Sequence, residues 1–168
     1  KSVARPGLNV FEAGSGLSLI GSDDEDGHGS DPHVWLDFAH DLVIVDRLAG
    51  ALAEIRPSEA AAFRSGAEAY RSKLRDLDNR YAEALRPCRG RMLLLGGHAA
   101  FGYLARRYGL VQVAVAGPSP DAAPAPRLLL DIVARAKAEG VKTVFADPGA
   151  GEKMARVLAA EIGGEMLV

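Results

Sequence analysis

Met92-Leu93-Leu94-Leu95-Gly96-Gly97-His98 is a continuous apolar run stopped by two glycines and a histidine. A run without polar alternation belongs to a strand buried on both faces, the kind that parallel sheets contain. Residues 99–108 then carry apolar side chains at helical spacing and close at Gly109, so the whole segment predicts a strand, a turn and a helix. The pattern repeats downstream. A strand is expected over 111–115, a proline-rich loop over 117–126 and a helix over 127–139 that closes at Gly140. A third strand follows over 141–146, then the turn Asp147-Pro148-Gly149, a helix over Glu152–Ile162 stopped by Gly163-Gly164, and a fourth strand from Glu165. Successive strand–helix units with short connections specify an α/β fold, a parallel sheet flanked by helices and joined by right-handed crossovers.

Upstream the period is that of helices alone. Leu42, Val43, Val45, Leu48, Leu52 and Ile55 recur at helical spacing over 38–55, and Arg56-Pro57 ends that helix. Ser58 is the expected N-cap of a second one, in which Phe63, Ala67, Tyr70, Leu74, Leu77, Tyr81 and Leu85 form one stripe until Pro87. Such a helix is roughly 40 Å long, enough to lie as a strut across two lobes or to serve as a coiled-coil arm. Residues 1–21 predict one or two short extended segments broken by glycine turns. The acidic run Asp23-Asp24-Glu25-Asp26-Gly27-His28-Gly29 offers nothing apolar to bury and reads as a mobile surface loop.

Composition narrows the function classes. The 168 residues are 48% hydrophobic and 25% charged, the make-up of an ordinary globular chain. A net charge of −2 with dispersed basic residues gives no footprint for nucleic acid. The one cysteine, Cys88, excludes an internal disulfide and any paired-cysteine metal site. No signal peptide is visible, and Lys1 is not a natural start.

Two histidines carry the chemistry. In Asp31-Pro32-His33-Val34-Trp35-Leu36-Asp37, Pro32 fixes its own φ and pushes Asp31 towards extended backbone, so His33 is presented on a preset turn. That turn suits a ligand, or equally a loop-to-helix junction with Trp35 as a core anchor. His98 and Asp147 follow the first and third strands of the second half, at the carboxyl edge where ligands of such sheets gather. Gly96 and Gly97 clear space beside His98 or simply make the turn. Together the two imidazoles suggest a metal held between two lobes: imidazole suits zinc, whereas an oxygen-rich set would suit manganese. A zinc hydrolase is the competing enzyme reading, but Asp147 is its only nominee for a general base and no His-Glu-x-x-His spacing exists. A plain α/β or adhesin-like interaction protein is the third.

The motif at 31–37, the long helix with Tyr70, Leu74 and Leu77, and His98-Ala99-Ala100-Phe101-Gly102-Tyr103 with Tyr108-Gly109-Leu110 together resemble the metal-binding solute receptors of zinc and manganese ABC transporters. The order and spacing match over nearly the whole chain. The resemblance implies two α/β lobes bridged by one long rigid helix: residues 1–56 the remainder of the first lobe, 57–87 the bridging helix, and 88–168 an incomplete second lobe. It implies a metal site containing His33 and His98, with His28 as an accessory contact and Asp147 as a residue behind the ligands. A further histidine ligand would lie upstream of this chain and an aspartate ligand beyond Val168. Histidine at 98, where some members have glutamate, points to Zn²⁺, with Mn²⁺ or iron as the alternative. His40 reads as an ordinary, partly exposed histidine, and Phe38 stands where these receptors usually carry proline. The implied protein is a monomeric, non-enzymatic receptor, periplasmic or lipid-anchored on the outer face of the cytoplasmic membrane. Its implied partners are a membrane permease and, further, a metallochaperone.

Overall fold

The structure, a computed structural model, describes residues 9–21, 29–117, 126–146, 148 and 151–168. His28, Asp147 and most of the expected proline-rich loop lie outside the described residues. The chain runs α1 (Phe38–Ile55), α2 (Ala60–Leu85), β1 (Met92–Leu95), α3 (Gly102–Tyr108), β2 (Val111–Ala114), α4 (Pro126–Ala138), β3 (Thr143–Phe145), α5 (Glu152–Ile162) and β4 (Glu165–Leu167).

All strand pairs are parallel, in the order β2-β1-β3-β4. From β1 the chain steps outward to β2, crosses back to β3, and continues to β4. α4 and α5 share one apolar cluster with β1 and β3, and the right-handed rule for such crossovers assigns α3, whose connection runs the other way, to the opposite face. The reversal between β1 and β3 is a topological switch point, where the loops leaving two neighbouring strands diverge and leave a crevice at their carboxyl ends. The loop carrying His98 leaves β1 at that point.

The core of this sheet is built from its most apolar face. Leu94 of β1 and Val144 of β3 pack against Ile132 and Ala136 of α4 and against Ala155, Leu158, Ala159 and Ile162 of α5. Small residues on α5 let it approach closely. A Cβ on Gly96 would stand 2.4 Å from the Cβ of Ala155 and 2.6 Å from its Cα, so Gly96 is required by helix packing and not only by the turn before His98.

α1 and α2 form an antiparallel helical hairpin. Asp37 caps α1, its carboxylate accepting from the Ala39 N–H at 3.0 Å. A 3-10 turn at Pro57–Glu59 joins the two helices, so Ser58 lies inside that turn and Glu59 occupies the position before α2. The expected Ser58 cap is therefore not formed; Pro57 starts a tight turn one step too early for it. At 26 residues α2 is about 39 Å long. Only Leu74 of its apolar stripe is buried. On α1, Leu48, Leu52 and Ile55 likewise line an outward face that is exposed among the described residues.

Three expectations need correction. Residues 9–21 contain turns at 13–16 and no strand; their one sheet-like contact is an isolated antiparallel bridge between Gly21 and Ser30. α3 starts at Gly102, not 99, because the Ala99 and Ala100 N–H groups bond to Gly117 and His98 carbonyls outside any helix. Trp35 is 55% exposed and is no core anchor in this chain.

Candidate metal centre

Asp31 and His33 make the first half of the site. Asp31 is buried, and its Oδ1 accepts from both the backbone N–H of His33 at 2.9 Å and the His33 Nδ1 at 2.6 Å. An aspartate two residues before an N–H is the sequence signal for such an Asx turn, so this contact was open to reading from Asp-Pro-His. The Trp35 ring meets the His33 ring edge-on at 5.4 Å.

His98 makes the second half. The loop after β1 is held by Gly96 N–H to the Phe145 carbonyl at 2.8 Å and by Ala116 N–H to the Gly97 carbonyl at 3.3 Å. Beyond it, the Phe101 N–H is taken by Gln112 Oε1 at 2.6 Å, which fixes the entry to α3. The switch-point crevice is a cavity of about 250 Å³ lined by Leu95, Gly97, His98, Phe101, Phe145 and Ala146. A larger cavity of about 530 Å³ lies at the opposite edge of the strands, beside Arg91, Glu139 and Lys142, and contains no imidazole. Donor chemistry, not size, singles out the smaller one.

The fold brings His33 and His98 together: their ring centroids are 5.3 Å apart, with planes inclined at 47°. Two imidazoles on one tetrahedral Zn²⁺, each at a Zn–N distance near 2.05 Å, would have centroids roughly 5 Å apart. Among the described residues no group of three or more His, Cys, Asp or Glu side chains converges on one point, so the pair is the visible part of any ion shell. His28 and Asp147 lie outside the described residues.

Tyr103 ties the two halves of the site to one another. Fully buried, it donates its hydroxyl to the Asp31 carbonyl at 2.9 Å and accepts from the Ile20 N–H at 3.0 Å. Ile20 and Asp31 also bond to each other, Asp31 N–H to Ile20 carbonyl at 2.9 Å. His40 packs edge-on against the Tyr103 ring at 5.3 Å and reaches the Val34 carbonyl through Nδ1 at 3.3 Å. His40 is thus buried, not partly exposed, and supports the turn that carries His33. No local pattern announces Tyr103, because its partners lie 83 and 72 residues away.

Beneath the site Arg107 of α3 joins three helices. Its Nε and Nη2 grip both oxygens of Asp78 on α2, Nε at 2.7 Å, while Nη1 reaches Asp37 at the start of α1 at 2.9 Å. Tyr108 donates to Asp78 at 2.8 Å. The Arg107 guanidinium, bonded to Asp78, holds that carboxyl below the usual carboxylate range. Burial first, and the bonded Asp78 second, push the Tyr108 hydroxyl upward. Phe38, Tyr81 and Tyr108, one from each of the same helices, pack ring against ring beside this clamp at 5.5 and 5.8 Å.

A family model described as zinc-uptake complex component A, periplasmic, matches residues 1–168. The zinc-binding protein AdcA of Streptococcus pyogenes is 34% identical over 142 residues, which cover 84% of this chain and 27% of that protein. The high-affinity zinc uptake system protein ZnuA of Bacillus subtilis is 34% identical over 98% of this chain and 55% of its own length. Among solved structures, the Zn(II)-bound E280Q variant of AdcAII from Streptococcus pneumoniae superposes with a TM-score of 0.83 at 29% identity, covering 98% of this chain and 63% of that one. The chain therefore spans between about a quarter and just over half of the curated relatives it matches.

Proposed function

The chain belongs to the family of periplasmic zinc-uptake complex component A proteins, and from that premise we propose that the protein is a receptor that captures Zn²⁺ outside the cytoplasm. It delivers the ion to the membrane permease of an ABC transporter. His33 and His98 are two of its ligands, the others coming from parts of the protein beyond this chain. The observation that carries the reading is the 5.3 Å spacing of the two imidazoles, which come from segments on either side of the long helix. Zinc-named relatives at 34% identity support it.

The ion is cargo, and the protein performs no reaction on it. Residues 1–56 are the remainder of the first lobe, 57–87 the bridging helix, and 88–168 an incomplete second lobe. The Arg107 clamp supports a rigid frame in which capture and release proceed through local loops and not through hinge bending. His28 is an accessory contact and Asp147 a cleft residue behind the ligands. The protein acts as a monomer, in the periplasm or anchored by lipid on the outer face of the membrane.

The test is a competitive titration of Zn²⁺ against Mn²⁺ on the full-length protein, with His33→Ala and His98→Ala alongside. Each substitution is expected to weaken zinc binding at least about tenfold, because three of roughly four ligands leave an open shell. Folded variants with unchanged affinity would sink the proposal; manganese binding as tightly as zinc would reassign the cargo.

A further inference from the structure

We infer that Asp31 is a positioning residue: its carboxylate holds His33 as the Nδ1–H tautomer and aims Nε2 at the ion. The inference rests on the reading of His33 as a ligand and adds what makes it a competent one.

The argument begins with what a carboxylate can do. An ionised oxygen only accepts hydrogen bonds, so the 2.6 Å contact between Asp31 Oδ1 and His33 Nδ1 requires the hydrogen to sit on Nδ1. The lone pair of the neutral ring is then on Nε2, the nitrogen on the far side from Asp31. The same Oδ1 also takes the His33 backbone N–H at 2.9 Å. Two bonds from one residue to one oxygen restrict both side-chain torsions of that histidine. An imidazole so held offers its metal-binding nitrogen in one direction without first having to lose rotamer freedom on binding.

Asp31 can act as a fixed reference because both of its own backbone polar groups are held, one of them from α3. Its N–H bonds to Ile20 and its carbonyl accepts from Tyr103 of α3. Its other carboxylate oxygen, Oδ2, rests 3.0 Å from where a Cβ on Gly102 would stand. Gly102 opens α3, the helix that follows His98. The aim of His33 is therefore set against the structure that carries the other imidazole.

The experiment uses the full-length protein with nitrogen-15-labelled histidine and reads two quantities. Ring-nitrogen NMR of the metal-free protein at pH 8 gives the tautomer of each neutral histidine; competition with a chromophoric chelator gives Zn²⁺ affinity. The parent is expected to show His33 as Nδ1–H. Asp31→Ala is expected to release His33 to the other tautomer and to weaken Zn²⁺ about 10–100-fold, the usual cost of losing such an outer partner. Asp31→Asn, which keeps an acceptor oxygen in place, should recover part of that loss. Should Asp31→Ala not fold, Asp31→Asn decides, since it keeps the shape and replaces the ionic acceptor by a neutral one; it should shift the His33 ring signals and weaken Zn²⁺ several-fold. A folded Asp31→Ala or Asp31→Asn with His33 still Nδ1–H and parental affinity overturns the inference. His33→Ala with unchanged affinity would instead overturn the ligand reading, and the tautomer of the metal-free protein would still report on Asp31.

Discussion

Replacing Arg107 by methionine removes a guanidinium that binds α2 and the start of α1 from α3. The variant keeps most of the aliphatic packing and loses the fork, leaving Asp78 without its cation and Asp37 with only the longer contact to Arg106 at 4.0 Å. Their side chains are 21% and 11% exposed, and that of Arg107 is 23% exposed. Breaking a buried pair by removing one partner costs about 3–5 kcal/mol, whereas an exposed pair is worth about 0–1 kcal/mol. The intermediate exposure places Arg107→Met near the bottom of the first range, at about 3 kcal/mol. Arg107→Lys, with one ammonium in place of a planar fork, should lose about half as much. The pH dependence gives a second handle. Asp78 has a folded-state pKa lowered chiefly by its hydrogen bond to Arg107. A lowered carboxyl adds stability that is complete above its unfolded value, near 4, and is lost as pH falls through the folded value. The gap between parent and variant should therefore be full at pH 7 and shrink below pH 4. Urea unfolding followed by far-ultraviolet circular dichroism, at pH 7 and pH 3.5, measures both. A cost under about 0.5 kcal/mol at pH 7, or one that does not shrink in acid, would refute this account of the clamp.

Tyr103→Phe keeps the buried ring and deletes two hydrogen bonds, so it should cost about 2–3 kcal/mol in thermal or chemical unfolding, and calorimetry that found no loss would argue against the bridge. Gly96→Ala drives a methyl against the backbone of α5 and should destabilise by about 3 kcal/mol, read as a lower urea midpoint; an unchanged midpoint would mean that α5 is free to move away. Asp41 has its carboxyl raised to about 6, by burial first and by the Asp37 charge second. Its ionised form therefore destabilises the fold, and stability should rise as pH falls from about 6 towards 4. Asp41→Asn should gain about 1 kcal/mol at pH 8, after allowance for partial exposure, and nothing below pH 4; a gain of equal size at both would exclude the charge as its cause.

The elements whose cues are local were the ones legible in the sequence. α1 and α5 begin and end where periodicity and stop residues predicted, and β1 matches its apolar run. Gly109 and Gly163 terminate their helices in left-handed conformations with φ of 73° and 65°, as glycines past a helix end do. What failed was decided at a distance. The start of α3 moved because the Ala99 N–H found the Gly117 carbonyl in another loop while the Ala100 N–H closed locally on His98, and residues 9–21, expected as short extended segments broken by glycine turns, keep the turn at 13–16 but form no strand, with Arg47 and Arg106 bonded to the Ser15 and Ser18 carbonyls. The same division holds at the site. His33 and His98 stood out by type and place, and Asp31 could have been found from its spacing to His33. Tyr103, His40 and Arg107 could not, because each acts through side chains that only the folded chain makes neighbours.

The triangle formed by Tyr103, Ile20 and Asp31 also bears on how such a protein can change over time. The distance between Gly21 and Ser30 is set by α3 and by their own bridge, and does not depend on the residues that connect them. Lengthening a connection between fixed ends costs only about 0.6 kcal/mol for each doubling. Insertions, deletions or a grafted reporter peptide between those two positions should leave the histidine turn in register, which makes this point of the chain a natural port for variation and for engineering.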